Sequence, residues 1–161
     1  MIDSNDVQID RTFDAPIEVI WSMWTDPEHF AKWYGPMGSR IPTAEMDVRV
    51  GGRRHIAMEM DTPNGVMAMF FVGEYREVEP MIRLSYTESM ADADGSALTA
   101  EQMGMPAGTP METSVVVDLE DLGDRTRMTV THIGVPRDSP GGQGWAMAID
   151  ELEARVAERQ S

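Results

Sequence analysis

Trp145, Ile149, Leu152 and Val156 recur at i, i+4, i+7 and i+11, while Asp150, Glu151, Glu153 and Arg155 fill positions between them. That spacing lines four apolar side chains along one stripe of a helix and leaves charge on the rest. Such a segment has to lie on an apolar surface. The remainder of the chain must therefore build a platform wide enough for a helix of several turns.

Strand-like segments supply the platform. Val7, Ile9, Arg11 and Phe13 alternate with Gln8, Asp10 and Thr12 and read as an opening strand. Asp14-Ala15-Pro16 ends it, with Asp14 expected to cap a short helix that has Pro16 in its first turn and buries Ile17, Ile20, Trp21 and Trp24. Asp26-Pro27 begins a second short helix carrying Phe30 and Trp33, closed by Tyr34-Gly35-Pro36. After an irregular Met37 to Pro42, strands are expected at Ala44 to Val48, Arg53 to Met60, Val66 to Val78, Ile82 to Glu88, Thr113 to Glu120 and Thr126 to Ile133. Gly51-Gly52 makes one turn and Thr62-Pro63-Asn64-Gly65 another, the latter pairing a proline's fixed dihedral with two residues that tolerate positive φ. Ser89 to Glu112 lacks a period and reads as a long connection holding one helical turn. The terminal helix is expected from about Gly144-Trp145.

Strand, two helices, six strands, helix is an α+β order without internal repeats. Contiguous, hairpin-linked strands call for an antiparallel sheet with one face covered. The expected architecture is one domain over 1–161 with its core between 7 and 157. A curved antiparallel sheet of six to seven strands would wrap around the long C-terminal helix, with two short helices after the first strand.

Charge narrows the partners. Twenty-eight acidic against 13 basic residues leave a net charge of −15, which repels phosphate backbones and anionic lipid headgroups, so nucleic acid is not an expected partner. Lys32 is the only lysine, a bias that fits either a GC-rich genome or a salt-rich habitat. With no cysteine, disulfides, thiolate metal sites and thiol nucleophiles are excluded. Met1 to Asp10 carries three aspartates and no apolar run, which predicts neither a secretory signal nor membrane insertion, and a cytoplasmic location. There is no phosphate-binding Gly-rich loop, Gly-x-Ser-x-Gly elbow or His-Glu-x-x-His zinc motif. Gly141-Gly142-Gln143-Gly144 reads as a loop before the helix, and Glu151 and Glu153 project to different sides of it. Neither a metal nor a cofactor is called for, and homodimer formation stays open.

Trp33-Tyr34-Gly35-Pro36, Arg49-Val50-Gly51-Gly52-Arg53 and the Gly144-Trp145 helix start, in this order, resemble the SRPBCC superfamily of START-like and birch-pollen-allergen-like domains. Within it, the chain is most similar to the family named after the C-terminal domain of the heat-shock ATPase activator. The similarity spans about Val7 to Ala157. Met103-Gly104-Met105-Pro106, and Thr126 to His132 followed by Gly134-Val135-Pro136, match a bacterial branch. The resemblance implies a helix-grip fold with a pocket under the terminal helix, but no single activity. Related domains bind lipids, sterols or polyketides, cyclise aromatic products, sequester antibiotics or assist a chaperone. The eukaryotic activators carry a separate N-terminal domain and nothing precedes the first strand here, so a chaperone partner is not the expectation.

Against that implied pocket, several residues stand out. Fifteen methionines, among them Met58, Met60, Met67, Met69, Met128 and Met147, suit either ordinary core filling or the walls of a plastic cavity. Arg54 shares a strand face with Ile56, Met58 and Met60; it either grips an anionic ligand from inside or, if the glycine pair shifts the register, lies in solvent. His132 has the parity of Met128 and Val130, which fits an acid-base group, a polar anchor or a structural hydrogen-bonding role. Trp33, Tyr34, Tyr86 and Trp145 suit either a pocket mouth or the core. The expected ligand-binding set is Trp33, Tyr34, Arg54, Ile56, Met58, Met69, Phe71, Tyr86, Met128, His132, Trp145 and Ile149, with His132 the candidate catalytic residue. Its expected occupant is a small apolar or aromatic molecule, with a polyketide cyclase or hydrolase as the catalytic alternative.

Overall fold

The computed structural model describes residues 5–35, 38–108 and 111–160, the side chains of 140, 159 and 160 aside. Pro36 and Met37, expected between the second helix and the next strand, lie outside the described residues, as do 1–4, 109–110 and 161. The elements run β1 (Asp6–Phe13), α1 (Ile17–Thr25), α2 (Pro27–Phe30), β2 (Ser39–Met46), β3 (Arg53–Thr62), β4 (Gly65–Glu79), β5 (Arg83–Ala91), β6 (Thr113–Asp121), β7 (Thr126–Pro136) and α3 (Pro140–Gln160). The seven strands form one curved sheet in the order β1-β7-β6-β5-β4-β3-β2, every neighbouring pair antiparallel, with α3 held on its concave side. This is the helix-grip fold, and the order expected from the sequence holds throughout.

Several boundaries differ for identifiable reasons. Asp14 caps nothing: Pro16, at φ −69° and ψ 157°, is the N-cap of α1 and no side chain caps it. On α1 the buried residues are Ile17, Ile20, Met23 and Trp24, while Trp21 stays half-buried because it is turned off that face. Asp26 does cap α2, its carboxylate accepting from Glu28 N–H at 3.0 Å, yet α2 stops at Phe30 and Trp33 sits in the turns beyond. β2 begins at Ser39, through residues expected to be irregular, because a register shift between Arg40 and Thr43 lets an edge strand pass Pro42 without its missing N–H breaking the ladder. The helical turn of the long connection is a single one, Met103 N–H to Thr99 O at 3.2 Å. α3 starts at Pro140, so Gly141, Gly142 and Gly144 belong to the helix rather than to a preceding loop.

The core fills one end of the trough between sheet and helix. Phe13, Ile20, Met23, Trp24, Phe30, Trp33, Val115, Val117, Met128, Val130, Leu152 and Val156 are all buried in one cluster. Trp24 lies edge-on to Trp33 at 4.7 Å and stacks towards Trp145 at 6.2 Å. Each indole also meets a polar need. Trp24 Nε1 donates to Met128 Sδ at 3.2 Å and Trp33 Nε1 to Met23 O at 2.8 Å. On the rim, Arg11 of β1 reaches α3, donating to Asp150 at 2.7 Å and Glu153 at 3.0 Å.

Candidate functional site: a cavity under the closing helix

At the other end the trough is open. A cavity of about 370 Å³ lies between the first half of α3 and the inward faces of β3 to β7. The helix explains the gap. Gly141, Gly144 and Ala148, spaced i, i+3 and i+7, turn one small-residue face towards the sheet, whereas Leu152 and Val156 fill the corresponding space further along the helix.

The walls are Tyr34 and Gly35 from the turns after α2, Met58 of β3, Met69 and Phe71 of β4, Met90 of β5, Met111, and Val135 and Trp145 around the roof. Met58 faces Met69 across the β3–β4 ladder, so two thioethers meet in the floor. Unbranched, polarizable side chains make such a wall adjustable. The polar contributions are few: Glu88, Thr113 and His132.

His132 is fully engaged. Trp145 Nε1–H donates to Nδ1 at 2.8 Å, so Nδ1 is the acceptor and the neutral ring carries its proton on Nε2. Nε2 then donates to Thr113 Oγ1 at 2.8 Å, and that hydroxyl donates onward to the Glu88 backbone carbonyl at 3.2 Å. Burial pushes the His132 pKa below its usual value, only partly countered by the nearby carboxylates of Glu88 and Asp6. No lone pair of the ring is left for general-base work. What the imidazole does is hold the Trp145 indole in place as a wall.

Arg54 follows neither of the two alternatives drawn from the sequence. The β3–β4 ladder runs without a register shift from Arg53↔Glu74 to Thr62↔Gly65, so the Gly51-Gly52 turn does not rotate the strand and Arg54 keeps the inward parity of Ile56 and Met58. It is 1% exposed, not in solvent. Nor does it front the cavity. Its guanidinium stacks 3.7 Å from the Tyr86 ring centre, inside a cage completed by Phe30, Tyr75 and Tyr34 at 5.4 to 5.9 Å. Nη1 donates to Glu88 Oε2 at 3.2 Å, while Nε and Nη2 have no acceptor among the described residues. Burial works against this charge, but the surrounding phenol oxygens and Glu88 outweigh it, and the pKa is raised.

Glu88 is the junction. Its Oε2 also accepts from Tyr34 Oη at 2.9 Å. Because Tyr34 has one proton and gives it to the carboxylate, the 3.0 Å contact between the two phenols makes Tyr86 the donor to Tyr34. Burial, then the Glu88 charge, raises the Tyr34 pKa well above its usual value; burial likewise raises that of Tyr86, so both stay protonated.

Of the residues expected at the site, Tyr34, Met58, Met69, Phe71, His132 and Trp145 come together around the cavity. Trp33, Arg54, Ile56, Tyr86, Met128 and Ile149 are buried but stand outside its lining. Trp33 and Met128 pack with Trp24, Arg54 and Tyr86 lie in the ring cage behind Glu88, and Ile149 belongs to the filled end. Of the other methionines, Met67 and Met147 are exposed. The expectation missed Glu88, Met90, Thr113 and the helix glycines. Glu88 and Met90 carry the same parity as Tyr86 along β5, a signal hidden because that strand extends to Ala91 rather than ending at Glu88. Among the described residues no His, Asp and Glu group is placed to hold a metal, and no helix is long and apolar enough to cross a membrane.

A family model described as "Activator of Hsp90 ATPase homolog 1-like protein" matches residues 14–157. The chain belongs to this family. Its fold is that of several bacterial relatives of known structure. A Chromobacterium violaceum protein is 25% identical with a TM-score of 0.75, the match covering 96% of this chain and 98% of that one. A Nitrosomonas europaea protein is also 25% identical with a TM-score of 0.75, covering 99% of both chains. The AHSA1 protein from Silicibacter pomeroyi, at 20% identity and a TM-score of 0.71, covers 96% and 99% and shares the fold. No curated protein matches the chain.

Proposed function

We propose that this family member binds a small hydrophobic or aromatic molecule in the cavity beneath the first half of α3, without obligatory chemistry. The observation that carries the reading is the cavity itself, about 370 Å³ in a trough that the same sheet and helix pack solidly at the other end. Side chains that leave apolar wall of this extent unpacked forgo contacts that the other end of the trough makes, and an apolar guest would restore them. Tyr34, Phe71 and Trp145 would meet a ring system by edge and face contacts, and Met58, Met69, Met90 and Met111 would adapt to its outline.

The catalytic alternative, with His132 as acid-base group, is weaker because both ring nitrogens are already bonded within the protein. The role suggested by the family description, assistance to a chaperone ATPase, finds no particular support in the cavity.

Native mass spectrometry of freshly purified protein should show a mass in excess of the chain, released on unfolding as a small apolar molecule. Ala148→Leu, which pushes three more carbons into the space, should lose that mass while the protein keeps its melting temperature. If wild type and Ala148→Leu both carry nothing, and neither takes up apolar aromatics from solution, the binding reading is wrong.

A further inference from the structure

Resting on that binding reading, we infer that the occupant is a neutral molecule bearing one hydroxyl, alcohol or phenol, which it donates to the free carboxylate oxygen of Glu88.

Hydrogen-bond capacity around the cavity is almost entirely spent within the protein. Trp145 Nε1–H is used on His132, and both His132 nitrogens are used on Trp145 and Thr113. Thr113 gives its proton to the Glu88 carbonyl, and Tyr34 gives its proton to Glu88 Oε2. Among the described residues, no side-chain donor in the wall remains for a ligand acceptor. The Glu88 carboxylate has one unfilled oxygen: both bonds it accepts, from Tyr34 and Arg54, end on Oε2, and Oε1 accepts none among the described residues. The side chain is 11% exposed and lines the cavity, which brings its remaining capacity within reach of an occupant.

Charge then selects among donors. A ligand carboxylate would meet Glu88 with no cation among the lining residues to receive it, because Arg54 is sequestered behind the carboxylate in its cage of rings. An ammonium group would bring three donors to one available acceptor, and the charge of that acceptor is already matched by Arg54 at 3.2 Å. A single hydroxyl brings one donor to one acceptor and no charge. Tyr34 already makes this bond from the protein side at 2.9 Å on the neighbouring oxygen.

The test is a titration at pH 7 with three probes of one shape: 2-naphthol, 2-methylnaphthalene and 2-naphthoate. The signals followed are the methionine methyl carbons, with Met58, Met69, Met90 and Met111 reporting the cavity and exposed Met67 and Met147 as controls. A hydrogen bond to a charged acceptor predicts that 2-naphthol binds at least about tenfold tighter than its methyl isostere. 2-Naphthoate should leave the cavity methyls unmoved. In Glu88→Gln the amide still accepts but also donates, so the naphthol advantage should shrink to about two- to threefold and naphthoate should begin to bind. If that variant does not fold, the isostere comparison in the wild-type protein decides alone. Should 2-methylnaphthalene move the cavity methyls and bind as tightly as 2-naphthol, or should naphthoate match either, the hydroxyl inference is overturned and the cavity stands as a binding site. If no probe moves those methyls, the binding reading itself falls, and the inference with it.

Discussion

One sheet and one helix enclose both ends of the trough, yet one end is solid and the other hollow. At the solid end α3 contributes Leu152 and Val156 against Phe13, Met128 and Val130, with Trp24 and Trp33 wedged in from the short helices. At the hollow end it contributes Gly141, Gly144 and Ala148 against methionines and a phenylalanine. The difference lies in the helix face more than in the strands. A helix can be amphipathic along its whole length and still switch from load to aperture by replacing branched side chains with hydrogen and methyl. The polar groups follow the same division. At the boundary between the two ends Arg54 and Glu88 form a buried ion pair beside Tyr34.

The largest expected effect comes at that boundary. Glu88→Ala leaves a guanidinium buried without its anion and should cost about 3–5 kcal/mol in denaturant unfolding. Arg54→Met combined with Glu88→Leu should recover most of that loss, because well-packed apolar replacements of a buried pair are often near neutral. If Glu88→Ala alone is silent, the pair is more hydrated than its burial implies.

Truncations at the two ends should separate next. Leu152→Ala opens a void in dense packing and should cost about 2–5 kcal/mol without altering uptake of aromatic probes. Met58→Ala merely enlarges a space already present, so its cost should fall near the bottom of the range for core truncations, about 2 kcal/mol, with a clear change in probe affinity. Equal stability losses, or a binding change in Leu152→Ala, would erase the distinction between the ends.

A smaller effect concerns pH. His132 has a folded pKa below its unfolded value of about 6.5, so between the two the unfolded chain binds more protons. Stability contributed by the neutral ring is therefore present above pH 6.5 and is lost as pH falls towards the folded pKa. His132→Asn keeps an acceptor for Trp145 but cannot titrate. The stability difference between wild type and this variant, followed by thermal melts, should narrow as pH drops from 7.5 to 5, at about 1 kcal/mol for each pH unit crossed between the unfolded and folded values. A difference that stays constant would mean that His132 is not held neutral by the fold.

The smallest effect is expected from Arg11→Ala. Its acidic partners on α3 are 71% and 55% exposed, and exposed ion pairs contribute about 0–1 kcal/mol. A larger loss of stability on this substitution would mean that the rim, and not only the packed stripe, fastens the helix to the sheet.

The antiparallel sheet, the order of elements along the chain and the buried stripe of α3 were legible because period-two and helical spacings are local properties of the chain, whereas the pairing of β1 with β7 is a long-range contact that no local spacing encodes. The inward parity of Arg54 was one of two readings the sequence left open, settled by the unshifted β3–β4 ladder, and what the side chain faces was in neither. That depends on rings brought from α2, β4 and β5. The histidine's role was obscured similarly, since its parity predicts an inward ring and only the arrival of Trp145 and Thr113 determines which nitrogen is occupied. Glu88 was overlooked because a strand end drawn at that residue concealed its membership of a buried face. The cavity was implied only by family resemblance. Its cause, small residues at i, i+3 and i+7, could not be read while those glycines were assigned to a loop.

The methionine floor carries a liability of another kind. Peroxide converts a thioether to a sulfoxide, which adds a polar, hydrogen-bonding oxygen to a surface suited to grease. This chain has no thiol to intercept oxidants, and four of its methionines front one chamber. Oxidative damage would accordingly be registered first as a lost affinity for guests, and reductase repair as its return, while the tryptophan-packed end held the fold together.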